Sequence, residues 1–331
     1  MRSSLIFLLV VFFSFVQFVE LWNFGKVHKS PIILIPGDGG SQLEAKLNKT
    51  STVHYLCEKV SKEYFNIWLN LELLVPVIID CWIDNMKLIY DNVTRTTRNQ
   101  DGVDIRIPGW GDPFVVEYLD PSKASPGAYF KDIGSMLVDD LGYIRNISLR
   151  GAPYDFRKGP SDDLGAYLLR ESILKDEQIT SPSLGWLLPS KLFWKENEVL
   201  VETENKNYTL TNLQDFLIDI NVPNGWEFRK DNEKYQLNFT PPGVVMHCLY
   251  GKQIDTLERL YYKPGTSIDG RPQLITGDGD GTVNLRSLEG CLHWQTKQKQ
   301  KVYYQAFPGI NHMTILKHAG VLEYIKSVLT I

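Results

Sequence analysis

The sequence predicts an α/β fold in which a largely parallel sheet is flanked by helices. Residues 31–35 and 272–276 are apolar runs that end in glycine-rich loops, a pattern typical of buried parallel strands. Apolar residues at helical spacing predict helices over 131–143 and 313–329. Strands that alternate with helices and end in such loops indicate the α/β class.

Further segments complete the predicted secondary structure. Strands are expected at 198–202, 244–250 and 301–307, and helices at 162–178 and in a segment that Thr211 caps. Residues 64–82 form an apolar and aromatic tract. One interpretation of this tract is a core helix that Pro76 ends, and the other is a hydrophobic loop that touches lipid.

Composition and charge restrict the class of protein. The chain has 331 residues, of which 43% are hydrophobic and 22% charged, as in an ordinary globular protein of one or two domains. A net charge of −4 gives no basic patch for nucleic acid. No C-x-x-C or H-x-x-x-H spacing occurs, so we expect neither a metal site nor a cofactor.

The N-terminus indicates export. Arg2 precedes an apolar run over 5–19, which is shorter than the about 20 residues that a membrane-spanning helix needs. Residues 1–20 are therefore interpreted as a secretory signal peptide. An uncleaved anchor or a buried first helix are the alternatives. Because no later stretch is long enough to span a bilayer, we expect the mature protein to be soluble.

Glycosylation acceptor sites agree with export. Five N-x-[ST] sequons without a central proline fit a glycoprotein: Asn48, Asn92, Asn146, Asn207 and Asn238.

The cysteines form an even set, as expected for disulfides in an oxidising compartment. They are Cys57, Cys81, Cys248 and Cys291. Three pairings are possible. The sequence-local pairing, 57 with 81 and 248 with 291, costs the least loop-closure entropy.

Two titratable residues follow late strands. Asp280 comes after the strand at 272–276, and His312 comes after the strand at 301–307. Active sites of α/β proteins lie at the carboxyl ends of strands, and the order Asp then His matches the second and third members of an α/β-hydrolase triad. The alternatives are a turn or partial calcium loop around Asp280, and a capping or core role for His312.

Long segments of the chain resemble the lecithin–cholesterol acyltransferase family. The segments that carry the resemblance are IPGDGGSQLEAK at 35–46, HYLC at 54–57, IWLNLELLVPVIIDCWIDN at 67–85, DGVDIRIPG at 101–109, LDPSK at 119–123, RGAPYDFR at 150–157, WLLP at 186–189, PPGVVMHCLYG at 241–251 and GDGDGTVNL at 277–285, together with the His312 region. These matches cover most of the mature chain.

The resemblance implies an α/β-hydrolase fold with assigned site residues. Asp280 is then the triad acid, His312 the base, and the backbone at Asp38 part of the oxyanion hole. Trp68 and Leu69 belong to a membrane-contacting region. The resemblance also implies the disulfides Cys57–Cys81 and Cys248–Cys291.

The chain departs from this family at the nucleophile. The family places an A-H-S-M-G elbow between the segments that end at Arg157 and begin at Trp186, but only 28 residues lie between them here, and no G-x-S-x-G or H-S-x-G occurs anywhere. The missing stretch should hold two helices and two strands, which need about 32 residues at average lengths. Ser41 and Ser135 are the nearest substitutes, and neither has the elbow pattern.

The resulting prediction is an incomplete acyl-ester enzyme of the secretory pathway, either lysosomal or extracellular. Residues 31–160 and 241–331 are expected to form the two parts of the hydrolase domain, and 161–240 a remnant of a cap region. The expected activity is that of a phospholipase A or lipid O-acyltransferase, absent from this chain because the serine is missing.

The alternative is a catalytically silent glycoprotein that binds lipid surfaces. Glycerophospholipid membranes or lipoprotein surfaces are the expected partners, with water or a lipid alcohol as acyl acceptor, and a monomer is expected.

Overall fold

The computed structural model describes residues 29–123, 127–158, 177–234 and 239–330. The predicted signal peptide, nearly all of the predicted helix at 162–178 and the sequon at Asn238 lie outside these residues. The chain divides into a unit of residues 1–32 and a compact unit of residues 33–331. In the described part, no helix is long and apolar enough to cross a membrane.

The described residues contain both helices and strands. The strands are β1 (Ile32–Leu34), β2 (Leu43–Leu47), β3 (Phe65–Trp68), β4 (Leu88–Asp91), β5 (Thr96–Asn99), β6 (Val103–Arg106), β7 (Leu149–Gly151), β8 (Val201–Glu202), β9 (Asn207–Tyr208), β10 (Met246–Lys252), β11 (Ile254–Tyr261), β12 (Gln273–Gly279) and β13 (Val302–Pro308). The α-helices are α1 (Ile78–Met86), α2 (Phe114–Glu117), α3 (Lys131–Asp139), α4 (Leu184–Leu187), α5 (Leu213–Asp219), α6 (Pro223–Glu233), α7 (Leu285–Leu288) and α8 (Ala319–Leu329). Short 3-10 helices lie at Leu71–Leu74, Leu210–Asn212, Glu289–Trp294 and Ile315–Lys317.

The strands form five separate sheets among the described residues. Their orders are β1-β7, β10-β13, β12-β11-β8-β9, β3-β2-β6 and β4-β5. Strands β10 and β13 run parallel, whereas β11 and β12 run antiparallel. The mixed α/β class is confirmed, but the single, largely parallel sheet that the sequence predicts is not found. In the described chain, β1 pairs only with β7 and β10 only with β13, so each has one open edge.

Most predicted strands are present with shifted ends. β1, β10, β12 and β13 correspond to the strands expected at 31–35, 244–250, 272–276 and 301–307. Helix α3 confirms the helix expected at 131–143 but ends four residues early, because the chain turns at Gly142, where φ is +67°. The strand expected at 198–202 is reduced to the two residues of β8.

Three predicted helical segments differ from the structure. The tract at 64–82 is a strand, a 3-10 turn and the start of α1, and Pro76 precedes the helix rather than ending it, as a residue without an N–H can do near a helix start. Thr209, not Thr211, is the capping residue, and its hydroxyl accepts the Thr211 N–H. The last helix begins only at Ala319, after a separate 3-10 turn.

The aromatic tract forms part of the core. Trp68 is 5% exposed, and its ring packs against Trp82 and Phe156. The Trp68 indole N–H donates to the Gly39 carbonyl at 2.8 Å, and the Trp82 indole N–H donates to the Ile67 carbonyl at 2.9 Å. Satisfied indoles of this kind fix large aromatic side chains in a core. The tract therefore holds the glycine-rich loop after β1 in place.

A buried guanidinium joins distant parts of this region. Arg157 is 0% exposed and makes two hydrogen bonds to the carboxylate of Asp155, at 2.9 and 2.5 Å. It also donates to the Met86 carbonyl at the end of α1 and to the Asn99 side chain at the end of β5, both at 3.0 Å. Burial would raise the pKa of Asp155, but the charge and hydrogen bonds of Arg157 hold it below its ordinary value.

We expect Arg157→Met to destabilise the protein by about 3–5 kcal/mol, because it leaves the buried Asp155 carboxylate without its partner. Arg98 forms an exposed pair with Asp101, and Arg98→Met should cost less than about 1 kcal/mol. Denaturant unfolding of the two variants beside the unaltered protein measures the difference. Equal losses would contradict a structural role for the buried pair.

Candidate active site

The structure brings Asp280 and His312, the two titratable residues that the sequence singles out, together after the ends of β12 and β13. Asp280 directly follows β12, and His312 lies four residues after β13. The Nδ1 atom of His312 is 2.8 Å from Oδ2 of Asp280. A second bond, from the His312 backbone N–H to the Asp280 carbonyl at 2.9 Å, holds the two loops together. The pair therefore has the geometry of the acid and base of a hydrolase triad.

The environment of Asp280 keeps it ionised. Its side chain is buried, at 3% exposure for the residue, while the His312 side chain is 45% exposed. Burial would raise the pKa of Asp280, but the bonds from His312 and from the backbone N–H groups of Thr282 and Val283 lower it overall. The carboxylate thus has one oxygen fixed by its own loop and the other on His312.

The imidazole is oriented by this contact. With Nδ1 on the carboxylate, Nε2 is the nitrogen left to act as a base. No described residue makes a hydrogen bond with His312 Nε2, and the ring is open to solvent. The pair can therefore accept a proton from a hydroxyl brought to Nε2.

Gly251 permits the approach of the His312 loop. A Cβ atom at Gly251 on β10 would lie 1.9 Å from the Ile310 carbonyl oxygen. The loop is further tied to β10 by the Gly309 N–H, which donates to the Lys252 carbonyl at 2.8 Å. Any side chain at position 251 would push the His312 loop away from Asp280.

The glycine-rich loop after β1 contains Asp38, the residue whose backbone is expected in an oxyanion hole. The Gly37 N–H donates to the Tyr129 hydroxyl at 3.1 Å, and Gly39 adopts φ +71°. Both carboxylate oxygens of Asp38 are buried and accept no hydrogen bond from any described residue. No hydrogen bond within the described chain joins this loop to Asp280 or His312, so the backbone role of Asp38 stays a prediction.

Two buried carboxyl groups near this loop have shifted ionisation. Burial, and then the charge of Glu177, raise the pKa of Asp38 to about 8. Burial raises the pKa of Glu177 to about 7, against the lowering effects of Arg157 and of the hydrogen bond from Ser181. Both groups favour the protonated form, because a buried carboxylate without a strong partner is costly.

The structure gives neither substitute serine a place beside the histidine. Ser41 is 0% exposed, and its hydroxyl accepts the Tyr154 backbone N–H at 3.1 Å. Ser135 lies inside α3. A nucleophile needs an exposed hydroxyl within hydrogen-bond reach of the base, and neither serine has this arrangement.

Both expected disulfides are present. Cys57 is bonded to Cys81 and Cys248 to Cys291. The four described sequon asparagines are exposed, as attachment of a glycan requires: Asn48, Asn92, Asn146 and Asn207. Among the described residues, no group of three or more His, Cys, Asp or Glu side chains could hold a metal ion.

The membrane contact expected of Trp68 and Leu69 stays a prediction. The structure places the Trp68 side chain in the core, whereas Leu69 is partly buried and packs against the same cluster. The exposed apolar side chains of the tract are instead Leu71, Val75 and Val77. They are exposed because the 3-10 turn and the helix start carry them to the outside, while β3 points Trp68 inward.

Sequence patterns missed the residues that support the site. Gly251 directly follows the strand predicted at 244–250, where a glycine has no obvious signal, and Glu177 follows a stretch outside the described residues. Thr256 on β11 accepts the Gly281 N–H at 2.9 Å beside Asp280. A small polar residue in a strand indicates nothing by itself, and only the fold shows what it touches.

Comparison with known proteins gives consistent matches. The family model described as lecithin:cholesterol acyltransferase matches residues 64–168 and 161–319. The chain is 38% identical over 377 residues to "Lysosomal phospholipase A and acyltransferase" of Canis lupus familiaris, covering 91% of each chain. For the Homo sapiens protein of that name the identity is 38% over 375 residues, with 90% of each covered. "Phosphatidylcholine-sterol acyltransferase" of Gallus gallus is 32% identical over 361 residues, covering 86% of this chain and 87% of the relative.

The lengths of these matches carry further information. An aligned region of 377 residues is longer than the whole chain of 331, so the relative contributes residues that have no counterpart here. The family model matches in two pieces that meet at 161–168. That meeting point lies between Arg157 and Trp186, an interval in which no G-x-S-x-G or H-S-x-G occurs.

We expect the protein to be more stable at pH 5 than at pH 8. Asp38 and Glu177 have raised pKa values in the folded state, so the folded state keeps protons that the unfolded chain releases, and stability falls as pH rises from about 4 to 8. The melting temperature should drop by roughly 5 °C or more across this range.

Thermal unfolding at the two pH values measures this difference. Asp38→Asn and Glu177→Gln should each reduce the drop, whereas Asp140→Asn, which removes a half-exposed carboxylate that pairs with Lys326, should leave it unchanged. A drop that persists in the double variant would show that other groups cause it.

Proposed function

Because the chain belongs to the lecithin–cholesterol acyltransferase family, we propose that it derives from a phospholipase A and O-acyltransferase of glycerophospholipid acyl esters. The observation that carries the proposal is the 2.8 Å contact between His312 and the buried Asp280, which follow β13 and β12. We also propose that this chain lacks the nucleophilic serine and does not turn over.

The pair supplies two of three parts of a Ser-Asp-His mechanism. His312 Nε2 would remove the proton from a serine hydroxyl as the oxygen attacks the acyl carbonyl, and Asp280 would stabilise the imidazolium that forms. His312 would then return the proton to the leaving lipid. Water or a lipid alcohol would accept the acyl chain from the serine. Backbone N–H groups at Asp38 would stabilise the oxyanion.

The open sheet edges support loss of the nucleophile segment from an α/β-hydrolase fold. A strand between β1 and β10 would pair with the edges that the described residues leave open. Apolar side chains near these edges are exposed: Ile33, Ile35, Val244 and Val245. Exposed apolar residues beside unpaired strands are expected where a central strand and its helix have been removed.

We place the protein in the secretory pathway, in the lysosome or outside the cell. Two disulfides and the exposed sequon asparagines suit an oxidising, glycosylating compartment. Relatives are named as lysosomal proteins. Residues 1–20 would act as the signal peptide, and membranes or lipoprotein surfaces would present the substrate to a monomer.

The secreted chain should show no hydrolysis or transacylation of phosphatidylcholine vesicles, at acid or neutral pH. Inserting between Pro160 and Ser161 the residues that the Canis lupus familiaris relative has at that position should restore turnover. In the restored protein, His312→Ala should reduce kcat by at least about 10³-fold. Release of fatty acid measures each case.

Activity in the unaltered chain that His312→Ala abolishes would overturn the missing-nucleophile proposal. Ser41→Ala and Ser135→Ala would then identify the serine. Activity in the restored protein that survives His312→Ala would instead overturn the assignment of the base.

A second candidate function, lipid-surface binding without catalysis, is favoured by exposed apolar residues around the first disulfide. Tyr55 and Leu56 precede Cys57, and Val75 and Val77 precede Cys81, and all four are exposed. The disulfide Cys57–Cys81 brings these two segments together. An exposed apolar patch of this kind is typical of an interaction surface.

The double variant Leu56→Ser, Val75→Ser should weaken sedimentation with neutral phosphatidylcholine vesicles by about 10-fold or more, since each lost apolar contact is worth about 1 kcal/mol or more. Ile144 and Ile147 are exposed on a different loop, and Ile144→Ser, Ile147→Ser is the matched control. Equal binding by the two double variants would contradict the assignment of the apolar surface around Cys57–Cys81 as the lipid-binding surface.

A further inference from the structure

Thr256 occupies a buried position beside the loop of Asp280. It lies on β11, which pairs antiparallel with β12, and it is 1% exposed. In this pairing Ile254 lies opposite Gly279, the residue before Asp280. A bridge between Ile254 and Asp280 continues the contact past the end of β12. The start of β11 is therefore the surface on which the Asp280 loop rests.

The Thr256 hydroxyl makes two hydrogen bonds there. It donates to the Ile254 carbonyl at 2.9 Å and accepts the Gly281 N–H at 2.9 Å. Gly281 adopts φ +90°, so the backbone turns sharply directly after Asp280. On the other side, a Cβ atom at Gly279 would lie 2.4 Å from the Thr256 oxygen. The hydroxyl thus contacts both residues that flank the acid.

Other bonds of this loop are partly internal and partly to its neighbours. The Asp280 N–H donates to the Val283 carbonyl, and Oδ1 of Asp280 accepts the N–H groups of Thr282 and Val283. The Asn284 side chain donates to the Leu257 carbonyl of β11 at 2.8 Å, and the Asp280 carbonyl accepts the His312 N–H at 2.9 Å. The Thr256 hydroxyl supplies a side-chain bond from β11 to Gly281, the residue directly after Asp280, and is therefore placed to set the direction of the Asp280 side chain.

We propose that Thr256 is a positioning residue that holds Asp280 in hydrogen-bond reach of His312. This inference rests on the proposed function and deepens it, because it names a residue outside the triad that sets the geometry of the pair. Valine has nearly the shape of threonine but no hydroxyl, so Thr256→Val leaves the Gly281 N–H without its acceptor. Thr256→Ser keeps the acceptor.

The test is a spectroscopic signature of the pair in the full chain. A proton shared between His312 Nδ1 and a carboxylate is shielded from exchange and gives a far-downfield proton resonance, which Asp280→Asn should abolish. We expect Thr256→Val to lose this resonance and Thr256→Ser to keep it. If Thr256→Val does not fold, Thr256→Ala removes the same hydroxyl.

Thr180→Val is the matched control. The Thr180 hydroxyl also accepts one backbone N–H, from Leu88, and donates to one carbonyl, of Glu177. Its loss should lower the melting temperature to a similar extent without changing the His312 resonance. That result, with loss only in the hydroxyl-free Thr256 variants, supports the proposal.

Three outcomes would overturn it. The first is a resonance in Thr256→Val identical to that of the unaltered chain, and the second is equal loss in Thr180→Val. The third is failure of both hydroxyl-free variants to fold, since the hydroxyl would then serve the fold as a whole. Absence of the resonance in the unaltered chain would overturn the proposed function together with the role of Thr256. The three outcomes above would overturn only the role of Thr256, so the two failures can be distinguished.

Discussion

The buried Arg157 guanidinium is the interaction on which the arrangement of the N-terminal half depends. It joins the end of α1, the end of β5 and the segment after β7 through four hydrogen bonds that involve Met86, Asn99 and Asp155. A fully buried charge is tolerated only when its hydrogen-bonding capacity is satisfied in this way. The aromatic core of Trp68, Trp82 and Phe156 packs beside it, and Trp68 in turn holds the loop that contains Asp38.

The C-terminal half is organised differently, around close backbone approaches. Gly251 lets the His312 loop lie against β10, and the turn at Gly281 lets the Asp280 loop lie against β11. The pair forms because the loops after β12 and β13 meet. Gly251 removes a side chain that would hold the His312 loop away, and Gly281 adopts the φ of +90° that the turn after Asp280 requires. Asp280 remains ionised although it is buried, since His312 and two backbone N–H groups surround its carboxylate.

The two halves each have their own local structure, and no single sheet joins them among the described residues. Strands β1 and β10 each have a partner on one side only in the described residues. An unpaired edge next to exposed apolar side chains is an unfavourable feature for a soluble protein. Asp280 and His312 therefore keep their 2.8 Å contact in a framework whose strands are divided among separate sheets in the described residues.

The sequence by itself determined the family, because long motifs carry the resemblance. The disulfide partners and the pairing of Asp280 with His312 followed as what that resemblance implies. Most strands near the site were also predicted, since apolar runs that end at glycines carry a strong local signal. The burial of Trp68 could not be predicted from the sequence. The same apolar tract can form a strand or a helix, and the two structures can direct the Trp68 side chain either into the core or to the surface. Only the tertiary structure decided that Trp68 is buried, that Gly251 and Thr256 lie against the loops of His312 and Asp280 and that the described strands form separate sheets. Each of these depends on contacts between residues that are distant in the chain.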